Sequence, residues 1–343
     1  MGDEENLAYA LELVDFLALP MVLHTAMQLD IFEIMAKSDE SLTAAEIAAK
    51  LPTENRQAPA MLERMLRVLA SYNVVTSDVE GERRVYGITP VARFYVRNED
   101  GVSLRPLMDL LNDRVCVESW FKLKDAVLEG GVPFDKAHGM HAFEYPATDP
   151  RYNQVFNNAM FNHTTLVMKK VLQSYKGFEN VTQLIDVGGG VGHTLAIILS
   201  HYPNIKSINY DLPHVVENGF PHPGIKHIGG DMFASVPDGD AIFMKWILHD
   251  WDDKRCITLL KNCHQALPDN GKVIVYDCVV SEEVETTAGA KQIGLMDLIM
   301  LTQNPGGKER TEKEFIALAT ASGFKGVTLV CKVYNTWIME FHK

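Results

Sequence analysis

The spacing of apolar positions changes part-way along the chain. Over residues 1–108 they recur with helical period. Residues 7–35 read as helix with a break at Pro20. Thr43-Ala44-Ala45-Glu46 is a capping box opening a helix to Lys50, and residues 60–72 form a further helix with Met61, Met65, Leu66 and Leu69 inward. Val74-Val75-Thr76, then Glu80-Gly81-Glu82, then Arg84 to Ile88 predict a two-stranded hairpin, so this region is helical and winged-helix-like. Over residues 109–343 short apolar runs alternate with helical stretches. Strands are expected at 183–187, 207–210, 225–228, 241–244 and 272–276, helices at 194–201 and 255–266, and a closing hairpin at 324–330 and 336–341. This order predicts an open α/β sheet that binds its ligand at the carboxyl ends of its strands.

Three motifs fall at those strand ends. Leu184-Ile185-Asp186-Val187-Gly188-Gly189-Gly190-Val191-Gly192 runs from a strand into a glycine turn, where the backbone can approach a ligand that any Cβ would meet. Asp211, 25 residues after Asp186, is placed to accept hydrogen bonds from ribose hydroxyls. Gly230-Asp231-Met232 follows, and Met232 offers a soft apolar surface to an adenine face. A dinucleotide fits the glycines and Asp211 equally well. However, Asp186 at the opening of the turn repels a pyrophosphate and suits a cationic sulfonium, which favours S-adenosylmethionine, with S-adenosylhomocysteine as product.

Composition and charge narrow the rest. At 343 residues, 47% apolar and 22% charged, the chain has enough apolar side chains for the cores of two domains. A net charge of −13 argues against nucleic acid, which needs clustered Lys and Arg. The first 100 residues alone hold 17 acids against 9 basic residues, so the winged-helix-like part reads as an interaction domain. Its first 35 residues are too apolar for one small bundle to hide, which predicts a homodimer. Five cysteines without a C-x-x-C pair suggest reduced thiols and no zinc site. Residues 16–28 are too short and too broken to span a membrane. Together these features lead us to expect a cytoplasmic protein with no membrane or metal partner.

Two further segments could carry chemistry. His249, in Lys245-Trp246-Ile247-Leu248-His249-Asp250-Trp251, lies just beyond a strand end. An imidazole there can take the proton of a phenol, although a histidine capping a helix would look the same. A catalytic imidazole needs its second nitrogen held. Asp277 and Glu309 are candidates, and either could equally be an ordinary solvated acid.

These segments, with Asp211-Leu212-Pro213-His214-Val215, Leu267-Pro268-Asp269-Asn270-Gly271-Lys272 and Asn304 to Thr311, resemble the plant small-molecule O-methyltransferases of the caffeic acid, flavonoid and isoflavone type over essentially the whole chain. The resemblance implies a class I methyltransferase, Rossmann-like domain behind an N-terminal dimerisation domain. It implies His249 as base, Asp277 and Glu309 as its orienting acids, and Gly188, Asp211, Leu212, Asp231, Met232 and Lys245 around the cofactor. It also implies a substrate slot of Leu111, Tyr152, Phe156, Met160, His163, Trp246, Ile299, Met300 and Asn304. Leu111-Asn112-Asp113-Arg114 stands where the caffeate branch usually reads Asn-Gln-Asp-Lys. Asp277 replaces a commoner glutamate and Tyr152 a commoner phenylalanine. The expected reaction is metal-independent methyl transfer to a phenylpropanoid-like hydroxyl. Flavonoids and hydroxylated isoquinolines are alternative substrates, and a magnesium-dependent catechol type using Asp250, Asp252 and Asp253 is an alternative mechanism. A regulator with a vestigial methyltransferase fold is the non-enzyme alternative, set against by the presence of both His249 and the glycine turn.

Overall fold

The computed structural model describes residues 2–343, which divide into two compact units, 2–112 with 158–163, and 113–157 with 164–343. In the first unit three helices, Asp3–Asp15, Ala18–Gln28 and Ile31–Ala36, replace the single broken helix expected over 7–35. The break falls at Phe16 and Leu17 and not at Pro20, because Pro20 sits in the first turn of Ala18–Gln28, where its missing N–H has no partner to lose. Thr43 caps Ala44–Ala48 through the expected box with Glu46. The helix Ala58–Ser71 buries Leu62, Leu66 and Leu69, while Met61, expected inward, is exposed. Strands β1 (Leu42–Thr43), β2 (Val75–Glu80) and β3 (Arg83–Ile88) form a small sheet with β3 central. Helix Asp3–Asp15 buries none of its residues, and Leu7, Leu11, Leu13 and Val14 on it are exposed. Among the described residues no single helix is long and apolar enough to cross a membrane, although the first two, bent by 50°, would pass together by length and composition.

The second unit starts with helices; the expected alternation begins only at β4 (Gln183–Val187). It continues through β5 (Lys206–Asp211), β6 (Ile225–Gly229), β7 (Ala241–Lys245), β8 (Lys272–Val280), β9 (Arg310–Thr311), β10 (Gly326–Val333) and β11 (Thr336–His342). The sheet order is β10-β11-β8-β7-β4-β5-β6, with β9 beside β8. Strands β4 to β9 pair in parallel, and β10 and β11 form the antiparallel closing hairpin. Both faces are covered, which is why β4, β7 and β8 read as continuous apolar runs. Val187, Ile242 and Val275 pack with Leu259, Leu260 and Leu318 on one side, and Leu184, Phe243 and Ile274 with Met168, Val171 and Ile198 on the other. The chain leaves β4 toward β5 and β6 and returns to β7 on the opposite side of β4. The carboxyl ends of β4 and β7 therefore flank the point where strand order reverses, and ligands of open α/β sheets bind there.

Candidate active site

The turn after β4 owes its shape to its glycines. Gly188, Gly190 and Gly192 have φ of +69°, +58° and +88°, a region that side chains with a Cβ resist. At Gly188 a Cβ would also lie 2.3 Å from Ile247 Cδ1, whereas the space in front of Gly190 is open. Asp211, ending β5, accepts the Gly190 N–H at 2.8 Å through Oδ2 and the Leu212 N–H at 2.7 Å through Oδ1. Burial pushes its carboxyl above the usual range, against those two N–H groups. Asp186 is 2% exposed and its Oδ2 has no hydrogen-bond partner. Burial and the nearby Asp211 push its pKa up to about 8, against the pull of Lys245, so a cation placed beside it would restore its charge. Lys245, at the end of β7, is pushed down to about 8 by burial despite Asp186, Asp277 and Asp250, and its Nζ lies 4.3 Å from the Trp246 ring centre. Asp231 accepts the Phe233 N–H at 2.9 Å, leaving Met232 half-buried next to it, and Leu212 is exposed. The open glycine turn, Asp211 at the next strand end and the buried Asp186 carboxyl, whose Oδ2 has no hydrogen-bond partner, are chemically suited to an adenosyl sulfonium.

At the end of β7, Trp246 takes φ +58° and turns the chain out of the sheet into the short turn Leu248–Asp250. His249 Nδ1 bonds Glu309 Oε1 at 2.8 Å, while Nε2 lies 3.6 Å from Asp250 Oδ1. With Nδ1–H donated to Glu309, the neutral ring presents the Nε2 lone pair. Burial alone would lower the pKa of His249, but Glu309, Asp250 and Asp277 outweigh it and push it up to about 10. Glu309 is itself fixed by its N–H to Asp297 Oδ1 at 2.8 Å. Asp277 is fully buried with neither oxygen hydrogen-bonded, so Glu309 holds the imidazole and Asp277 acts on it through space. Burial pushes Asp277 up to about 7, with His249 opposing and Glu309 and Asp250 adding to the rise.

Arg310, absent from the expected site, is fully buried and clasps the turn that carries His249. Its guanidinium donates to Leu248 O at 2.6 Å, Trp251 O at 2.7 Å and Asp253 Oδ1 at 2.8 Å. The Lys308 N–H adds a bond to His249 O at 2.9 Å. Asp250, Asp252 and Asp253, the acids available to a metal-dependent mechanism, are otherwise engaged. Asp250 accepts from Asn304 at 2.7 Å, Asp252 caps Arg255 at 2.7 Å and Asp253 pairs with Arg310.

The residues expected to form the substrate wall belong partly to one unit and partly to the other. In the second, Trp246 and His249 have ring centres 5.9 Å apart. Ile299 is half-buried and Met300 buried on the helix Ala288–Gln303, and Asn304 donates to Asp250. Tyr152 is buried with its hydroxyl 3.2 Å from Cys116 Sγ, and Phe156 is half-buried one turn on. Both lie on the helix Pro150–Ser174. Met160 and His163 fall in the stretch of that helix grouped with the first unit, as does Leu111 at the end of Arg105–Leu111.

Residues 120–325 match the family model described as an O-methyltransferase domain, and residues 11–98 that of an O-methyltransferase dimerisation domain. The chain belongs to the O-methyltransferase family. It is an S-adenosylmethionine-dependent O-methyltransferase with an N-terminal dimerisation domain. Among similar members, a catechol O-methyltransferase of Solanum lycopersicum is 54% identical over 99% of this chain and 96% of its own. A caffeic acid 3-O-methyltransferase of Prunus dulcis is 53% identical over 100% and 96% of the two chains. A flavone 3'-O-methyltransferase of Chrysosplenium americanum is 53% identical over 98% of each. Among solved structures, a calicheamicin-biosynthesis methyltransferase superposes with a TM-score of 0.83 at 24% identity, covering 100% of each chain. Human N-acetylserotonin methyltransferase superposes with a TM-score of 0.81 at 23% identity, covering 100% of this chain and 99% of its own; at such identities these two show the fold. Nothing in the family or the relatives favours a regulator over an enzyme.

Proposed function

We propose that this O-methyltransferase methylates an aromatic hydroxyl of a small phenolic, with His249 as general base, as a homodimer and without a metal. The observation that carries the reading is the buried His249–Glu309 pair at the strand-order reversal, beside the glycine turn. Asp211 would take the ribose hydroxyls, Met232 and Leu212 the adenine faces, and Asp186 the cationic end of the cofactor, with Gly188, Asp231 and Lys245 around it. When bound, S-adenosylmethionine supplies an electrophilic methyl group. This chain's part is to exclude water, to orient the hydroxyl against Trp246 and Met300, and to receive its proton at His249 Nε2. A phenol has a pKa of roughly 10 and is mostly protonated at neutral pH, and the acids around His249, which raise its basicity, favour transfer of that proton to the imidazole. The relatives' names, catechol, caffeic acid and flavone O-methyltransferase, support an ortho-dihydroxylated ring as substrate. The match to a dimerisation domain and a first helix that buries no residue support the homodimer.

The test is turnover of labelled S-adenosylmethionine with caffeate-like acids, flavones and hydroxylated isoquinolines, with and without EDTA. His249→Ala should lose about 10² to 10⁴ in kcat while still binding S-adenosylhomocysteine, and EDTA should leave the wild type active. Near-normal turnover of the variant at pH 7 would remove His249 as base. Loss of activity in EDTA, restored by magnesium, would establish the metal-dependent mechanism.

A further inference from the structure

Asn209 and His227 lie behind the glycine turn, and no role has been given to either. Asn209, on β5, is fully buried and spends both hydrogens of its amide nitrogen, one on Gly190 O at 2.7 Å and one on His227 Nδ1 at 3.1 Å. The opposite amide orientation would set its oxygen against the Gly190 carbonyl, so the Gly190 contact fixes which atom is nitrogen. His227 Nδ1 is therefore an acceptor and carries no proton, which leaves the proton of the neutral ring on Nε2. Nε2 lies 2.9 Å from Phe220 O and donates to it. The Phe220 N–H returns to Val191 O, inside the turn, at 2.7 Å. The circuit closes on the turn: from the Asn209 amide nitrogen one bond runs directly to Gly190 O, and the other runs through His227 and Phe220 to Val191 O.

The turn is thus held on both sides of one residue, Gly190 N–H by Asp211 and Gly190 O by Asn209. Gly192 adds a steric lock, since a Cβ there would lie 2.8 Å from His227 Cε1. We propose that Asn209 and His227 are positioning residues that set the glycine turn in its cofactor-binding shape, so that affinity for the cofactor depends on a histidine tautomer on β6, outside the turn itself. Both act through Gly190 and Val191. The proposal rests on the glycine turn being the cofactor site.

The experiment is isothermal titration of S-adenosylhomocysteine into the full-length protein, with unliganded melting temperature and backbone hydrogen exchange over residues 188–192 as companion readouts. His227 is only partly buried, so its variants carry the test even if Asn209→Leu fails to fold. His227→Leu removes the acceptor and should raise Kd about three- to tenfold and speed exchange over 188–192. His227→Asn keeps an acceptor at the place of Nδ1 and should bind within about twofold of wild type. A purely structural role would move the melting temperature of both variants without separating their Kd values. Equal Kd values for Leu and Asn, or a wild-type Kd in His227→Leu, would overturn the relay. A folded wild type that binds no S-adenosylhomocysteine would instead overturn the cofactor-site reading.

Discussion

Glu309, Asp250 and Asp277 together outweigh the burial of His249 and make its imidazole more basic than an ordinary one. Removing one of those charges makes the imidazole easier to deprotonate. Glu309→Gln, which keeps the shape and loses the charge, should therefore move the acid limb of kcat/KM to lower pH by at least one unit while lowering the maximum, as measured in a pH–rate profile. A limb that stays in place would mean that another group titrates there. In the sequence His249 stood out by following a strand end, where a helix cap would look the same, and Glu309, in a polar glycine-rich loop, stood out only through the resemblance of its Pro-Gly-Gly-Lys-Glu motif. Which acid makes the bond was not legible, since Asp277 and Glu309 differ in register against a turn that only the fold brings near. Arg310 and Asp297 gave no signal at all: Arg310 reaches its carbonyl partner across 62 residues, and an acid or a base inside a helix or loop looks like a solvated one.

The turn after β7 is held against its own backbone preference. Trp246 in the left-handed region costs of order 1–3 kcal/mol, and the Arg310 clasp is what opposes relaxation. Arg310→Lys, which keeps the charge and loses the fork, should lower kcat about tenfold to a hundredfold with a smaller change in KM, and lower the melting temperature by a few degrees. Unaltered kcat would show that the turn keeps its shape unaided. Strands of the sheet were readable to within a few residues because a two-faced sheet demands unbroken apolar runs. Amphipathic helices were harder. Met61 and Leu62 are neighbours of similar hydrophobicity, and only the packing of Ala58–Ser71 decides which turns inward. Pro20 looked like a break because its position within the first turn depends on where the helix starts, and no polar cap marks Leu17 as that start.

At the scale of the molecule, an acidic chain also exposes large apolar side chains. The chain carries −13 overall, yet Leu7, Leu11, Val14 and Leu17 stand exposed near its beginning. Light scattering should give about twice 38.4 kDa, and removal of residues 1–35 should leave an aggregating or inactive chain. A soluble, active monomer after truncation would refute the dimer. Asp277 has a consequence for heat tolerance. A carboxyl whose pKa rises from near 4 in the unfolded chain to about 7 on folding weakens the fold as pH climbs through that interval, and the full cost is present above it. Asp277→Asn should therefore melt higher than the wild type, by more at pH 8 than at pH 4, while turning over more slowly. The enzyme would then be carrying an instability at its centre that selection for thermal endurance alone would remove.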